Sequence, residues 1–219
     1  MTTEELIRLY LSEKKKIADN FPVEDVSKLA ELVWQAYKNN RTIYAFANGG
    51  NAGIIGNLTC DFVAHPFVGE DKSKPYPEDM RRLKVRNLSV DPSLITGISN
   101  DLGYEEIFSR QLLSEVEKDD VVIGISGSGN SKNVIKAFEV AKKYGAHIVL
   151  ISRGMGGKGK EIAEVSILIP GTSKYPGQTG MNDNNFHFED YIVSVSHMIT
   201  GILCKRIKDS YDSGNYDKR

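Results

Sequence analysis

The sequence predicts an α/β protein built on a parallel sheet, and three observations carry that expectation. Two apolar, β-branched runs, "DVVIGIS" at 120–126 and "AHIVLIS" at 146–152, flank a segment of helical periodicity at 131–144. Such continuous hydrophobicity suits parallel strands covered on both faces, joined by a crossover helix. Upstream, "TIYAFANGGN" at 42–51 reads as a strand stopped by a Gly-rich turn, and the apolar positions of "AGIIGNLTCDFVAH" at 52–65 suit a buried helix. The strand, loop, helix scheme then recurs along the chain.

Each element follows in order. Leu6, Ile7, Leu9, Tyr10 and Ile17 recur at helical spacing, and Leu29, Leu32, Val33 and Ala36 repeat the pattern, predicting two N-terminal helices within about residues 1–40. After the strand and helix at 42–65, the polar, proline-containing stretch 68–82 reads as a loop long enough to cover a site. "VRNLSV" at 85–90 suggests another strand. Asp91-Pro92 then supplies an N-cap and first-turn pair for a helix broken near residues 100–103. "VSILIP" at 165–170 predicts the last strand, and a polar loop leads into a long helix from about 184 to 208. With neither a fixed-period repeat nor a composition shift, residues 1–219 read as a single domain.

Composition narrows the class of function. The 219 residues are 26% charged and 40% hydrophobic with a formal net charge of -1, which gives no electrostatic reason to expect nucleic acid or an acidic membrane as partner. Cys60 and Cys204 form no CxxC pair, so neither a disulfide framework nor a thiolate zinc site is indicated, and both are expected as buried thiols. No apolar run approaches bilayer length and the N-terminus lacks a signal-like core, so a cytoplasmic location is the expectation.

The chemistry concentrates at "GISGSGNSKNVIKAFEVAKK", residues 124–143. Small residues between a parallel strand and a helix let the backbone approach a ligand, while the helix start offers free N–H groups to an anion. Ser126, Ser128 and Ser131 add hydroxyl donors, so the junction suits a phosphomonoester without a strongly basic pocket. A plain turn in which Ser131 caps the helix accounts for the same serines in structural terms. This junction carries neither GxGxxG nor GxxxxGK[ST], which argues against a dinucleotide or nucleoside triphosphate there.

The stretch "GISGSGNSKNVIKAFEVAKKYGAHIVLISRGMGGK", preceded by "ANGGNAG" and "SNDLGYEEIFSRQL", resembles the sugar isomerase (SIS) domain, in order and spacing most like its phosphoheptose isomerase branch. The resemblance implies a flavodoxin-like parallel sheet of about five strands with helices on both faces. It also implies a phosphosugar at the strand ends and usually a homotetramer with sites between subunits. On its pattern Asn48, Gly49, Gly50 and Asn51, with Ser126, Ser128 and Ser131, surround the substrate, and Asn100 and Asp101 can touch sugar hydroxyls. Two departures stand out: Gly127 occupies the middle of the family's serine-threonine-serine run, and Asn51 stands where its NGGS turn has serine.

Aldose–ketose isomerisation passes through an enediol and needs a base near one carbon with acid or electrophilic help at the oxygens. Asn57, Asp61 and His65 are spaced four apart and share a helix face, while Glu189 and His197 lie eight apart on the last helix, about 12 Å along its axis. The resemblance places the catalytic His and Glu at Asn57 and Asp61, and the catalytic Gln and His at Glu189 and His197. Asp61, Glu189 and His197 are therefore the expected catalytic residues, and the same three can be ligands for a divalent metal such as zinc. His65, before Pro66 at a helix end, reads as a capping residue; His147 and His187 read as structural or solvated. The expectation is a phosphosugar isomerase with sedoheptulose 7-phosphate as leading substrate. Its rival is a non-catalytic SIS protein that binds a phosphosugar or a partner protein.

Overall fold

The computed structural model describes residues 1–69 and 71–219. Two helices, α1 (Thr3–Asp19) and α2 (Val23–Lys38), precede β1 (Thr42–Ala47) and α3 (Gly50–Ala64). Then come β2 (Lys84–Asn87), α4 (Pro92–Leu102), α5 (Ser109–Leu113), β3 (Val121–Ile125), α6 (Lys132–Tyr144) and β4 (His147–Arg153). The chain closes with α7 (Gly157–Ile162), β5 (Val165–Ile169) and α8 (Asn185–Asp212). All five strands are parallel, in the order β2-β1-β3-β4-β5. This is the flavodoxin-like arrangement the resemblance implies.

The pleat explains why the central strands are apolar throughout. On β1, Ile43, Ala45 and Ala47 join one buried cluster while Tyr44 and Phe46 join another on the opposite face. The first face packs against α1, α2, α3 and α8; the second packs against α5, α6 and the Ile107 and Phe108 side chains, with Ile95 and Ile98 of α4 alongside. Local signals fix the ends. Thr2 and Glu5 form a reciprocal capping box at α1, the Asp91 carboxylate accepts from the amides of Ser93 and Leu94 at α4, and α6 stops at left-handed Gly145.

Several expectations need correction. The helix after Asp91 does not resume smoothly beyond its break: a 3₁₀ turn and the short α5 fill residues 104–113, and Asn100 and Asp101 lie in the last turn of α4 rather than in the break. The stretch 68–82, whose Glu70 lies outside the described residues, does not cover the strand ends. Met80 bridges Lys218, Arg81 donates to the Lys38 carbonyl and Tyr76 packs edge-on against Tyr211, all toward the start of β2. Cys60 is exposed and Cys204 half-buried, both as free thiols, because α3 and α8 each keep one face uncovered. Of the two readings for His187 the structural one holds: it is fully buried, with Nε2 3.1 Å from Glu13 Oε2.

Candidate functional site

In this strand order the chain departs from β1 toward β2 on one side and from β3 toward β4 on the other. A crevice is left where the C-terminal ends of β1 and β3 part. The turns after both strands meet there. Asn48 Nδ2 donates to Asn133 Oδ1 at 3.0 Å and Asn133 Nδ2 donates to Asn48 Oδ1 at 2.7 Å, so two side-chain amides staple the turn before α3 to the first turn of α6. The Tyr104 hydroxyl donates to Asn48 Oδ1 at 2.8 Å and closes the staple from the α4 side. Asn133 and Tyr104 were not singled out from the sequence. Asn133 looks like an ordinary helix residue, and only its spacing from a strand-end serine run could have flagged it.

Among the described residues, none of the N-cap residues of α3, α6 and α8 caps its helix with its own side chain, although Gln178 Oε1 accepts from the Phe186 amide in the first turn of α8. Ser131 occupies the N-cap position of α6, yet its hydroxyl lies 2.9 Å from that of Ser126 instead of bonding the helix amides. The plain capping role is thus not the one adopted; Asn133 Oδ1 accepts from the Val134 amide at 2.9 Å, and the amides of Lys132 and Asn133 stay available to an anion. Ser126 is buried with its amide bonded to the Ile151 carbonyl, whereas Ser128 is exposed at the rim. The turn is rigidly seated. Gly129 has φ +66°, and a Cβ there would lie 1.9 Å from the Gly156 carbonyl oxygen, so only glycine lets this backbone rest on the turn after β4. Gly159 N donates to the Gly129 carbonyl at 2.9 Å and Lys158 N to Asn130 Oδ1 at 3.0 Å, which locks the two turns together.

The first turns of α8 enter the same region. Asn185 Nδ2 donates to Glu189 Oε1 at 2.9 Å, Asn185 Oδ1 lies beside Gly127, and Glu189 Oε1 lies beside Gly50. An open cleft of about 300 Å³ lined by Ser128, Arg153, Met181 and Asp183 adjoins the serine turn. Gly49, Gly50 and Asn51 form the turn and first helical residues after β1, and one amide atom of Asn51 is buried with no hydrogen-bond partner among the described residues. Asn100 and Asp101 are exposed and hydrogen-bond each other at 2.8 Å, one turn before Tyr104.

A second cluster lies farther along α3 and α8, which run side by side in the same direction. The Asp61 carboxylate, 4% exposed, accepts from Asn57 Nδ2 at 2.8 Å and stands 3.4 Å from His197 Nε2, 3.2 Å from His65 Nδ1 and 3.4 Å from the Ser196 hydroxyl. Both histidine side chains are 61% exposed. A buried carboxylate therefore orients imidazoles that face outward. His65 pairs with Asp61 rather than serving only as a helix-end residue. Of the three expected catalytic residues the structure joins Asp61 and His197 and leaves Glu189 about two turns away, beside Gly50 at the start of α3. Asp61, Glu189 and His197 consequently do not make one ligand set within this chain, and among the described residues no group of three or more His, Cys, Asp and Glu side chains is gathered for a metal ion.

Comparison with known proteins agrees with this geometry. Residues 10–152 match the SIS domain model. Phosphoheptose isomerase of Akkermansia muciniphila is 29% identical over 196 residues, 87% of this chain and 93% of that protein. Phosphoheptose isomerase of Helicobacter pylori (strain P12) is 36% identical over 147 residues, 67% of this chain and 71% of that protein. Among solved structures, phosphoheptose isomerase GmhA from Neisseria gonorrhoeae superposes with a TM-score of 0.74 at 24% identity, covering 92% of this chain and 98% of that one. Serine turn, strand order and family match coincide on the same residues, and the chain belongs to the SIS domain family.

Proposed function

We propose that this protein is a phosphosugar isomerase of the phosphoheptose isomerase type, interconverting a ketose phosphate and an aldose phosphate, with sedoheptulose 7-phosphate as leading substrate. The observation that carries this reading is the pairing of an anion-ready turn at the β1/β3 crevice with a buried carboxylate set against an imidazole, Asp61 and His197. The phosphate rests on the amides of α6 with Ser126, Ser128 and Ser131, and backbone from Asn48 to Asn51 lines the sugar. Asp61 takes the proton from C1 while the C2 carbonyl oxygen is protonated, giving the enediol. Collapse returns a proton to C2 and removes one from the C1 oxygen, with His197 serving the oxygens.

The separation of the two clusters supports a site shared between copies of the chain. Asn51 and Asp61 are ten residues apart on α3, about 15 Å along its axis, which is longer than an extended heptose. The same stretches of α3 and α8 expose Val63, Met198 and Ile202, an apolar surface suited to a second copy. Such an assembly brings the Asp61–His197 pair of one protomer to the phosphate turn of another, and a tetramer accommodates it.

One observation favours the binding-only reading: Asp61 is already engaged by Asn57, Ser196 and two histidines, which restrains it as a base. Incubating the protein with a panel of ketose and aldose phosphates in D₂O, before and after chelation and metal restoration, separates the two. Carbon-bound deuterium and turnover of at least one ketose phosphate are expected. Tight phosphosugar binding with neither signal would transfer the protein to the binding class.

A further inference from the structure

Arg153, at the C-terminal end of β4, is absorbed by none of the roles above. Its Nη1 and Nη2 donate to the carbonyls of Asp183 and Met181, while Nε is buried with no hydrogen-bond partner among the described residues. The two carbonyls fix the plane of the guanidinium, and Nε is held against the serine turn: a Cβ at Gly127 would lie 3.2 Å from it. No carboxylate pairs with this half-buried charge among the described residues. A guanidinium left with carbonyls and an idle N–H lacks the counter-charge that partial burial calls for. It also lines the cleft with Ser128. Gly127 has no side chain to offer a ligand, and Arg153 stands in the space one would fill.

We propose that Arg153 is a specificity-determining residue of the phosphate subsite, supplying the positive charge and one N–H donor to the phosphoryl oxygens at the position where Gly127 offers no hydroxyl. This inference rests on the reading of the serine turn as the phosphate site. It makes the subsite selective for a doubly charged phosphomonoester over a neutral sugar terminus, because a guanidinium matches phosphate in both geometry and charge.

Calorimetric titration of the full chain with inorganic phosphate, sedoheptulose 7-phosphate and unphosphorylated sedoheptulose tests it. Wild type is compared with Arg153→Gln, Arg153→Lys, Arg153→Ala, Gly127→Ser, the double variant Arg153→Ala with Gly127→Ser, and Ser131→Ala as reference for the turn. Arg153→Gln should weaken both phosphate-bearing ligands at least about tenfold and leave the plain sugar within about twofold. The wild-type advantage should shrink as salt is raised. Arg153→Lys should keep part of it. Gly127→Ser should weaken phosphate binding by crowding Nε, and the double variant, in which the new hydroxyl enters vacated space, should recover affinity relative to Arg153→Ala alone. Thermal melts identify any variant that fails to fold, in which case the Lys and Gly127→Ser variants decide. Equal losses for sugar and sugar phosphate would reduce Arg153 to an anchor for the 181–183 loop. Weakening by Ser131→Ala with none by Arg153→Gln would overturn the inference alone. Wild type binding neither phosphate ligand would overturn the turn assignment beneath it as well.

Discussion

Asn48 and Asn133 satisfy each other's side-chain amides at 3.0 and 2.7 Å across the point where β1 and β3 part, and this pair sets the distance between two helix starts. Asn133→Ala leaves Asn48 Nδ2 without its partner in a half-buried place. Urea denaturation should show a loss of about 1–3 kcal/mol, and phosphosugar affinity should fall alongside it. Unchanged affinity in a destabilised variant would show that the staple serves only the fold.

The serine turn is tested by its own hydroxyls. Ser128→Ala and Ser131→Ala should each cost about 1 kcal/mol in phosphosugar binding with little change for the unphosphorylated sugar. Isothermal titration with both ligands checks this, and parallel losses would detach the phosphate from the turn.

Proton transfer is tested at the second cluster. Asp61→Asn and His197→Asn should each lower the rate of solvent deuterium exchange and turnover by ~10²–10⁴-fold while phosphosugar binding survives. Glu189→Gln, beside Gly50 and bonded to Asn185, should act mainly on binding. A larger turnover loss for Glu189→Gln than for Asp61→Asn would move the base to Glu189.

Assembly makes a separate prediction. Light scattering should give several times 24.3 kDa at micromolar protein. If the site is shared, mixing Asp61→Asn protein with a Ser128→Ala/Ser131→Ala variant under conditions of subunit exchange, at substrate well below that variant's weakened Kd, should give more activity than the two proteins assayed apart, because some hybrid sites carry neither change. No recovery despite exchanged subunits would place the whole site in one chain.

Acid stability follows from Glu13. Burial pushes its carboxyl up, but the Lys174 amide, the Ser173 hydroxyl and His187 outweigh that and hold it below the usual carboxylate range. A carboxylate depressed in the folded state contributes stability that is present above its unfolded value and is lost as pH falls through the folded one. Melting temperature should therefore decline from about pH 4 downward, and Glu13→Gln should flatten that decline. The same network fastens residues 173–174 and α8 to α1, so Glu13→Gln should also loosen the 170–184 loop in hydrogen exchange.

The strands, the serine turn and the terminal helices were legible because each has a local cause: an unbroken apolar run, a cluster of small residues, a 3.6-residue period; the order of the strands came only from the family resemblance. The relative placement of Asp61, His197 and Glu189 was not. Eight residues on α8 fix the separation of Glu189 and His197, but only the packing of α8 along α3 reveals which of them meets Asp61. Tyr104, Asn185 and Arg153 escaped for a similar reason, since each reaches the crevice from an element distant in sequence, whereas Asn133 lies two residues from Ser131 and escaped only because it looks like an ordinary helix residue. The exposure of Cys60 was hidden by the apolar composition of α3, which one uncovered face does not alter.

The starts of α3, α6 and α8, none capped by its own N-cap side chain, bear on the empty molecule as well as the liganded one. Three aligned peptide dipoles direct their positive ends at one edge of the sheet, and these like ends repel one another. A ligand dianion placed among them relieves that repulsion in addition to making its own hydrogen bonds. Occupancy is thereby coupled to the cohesion of the whole helical layer around the sheet, so the site acts as an electrostatic keystone whose filling tightens elements that never touch the sugar.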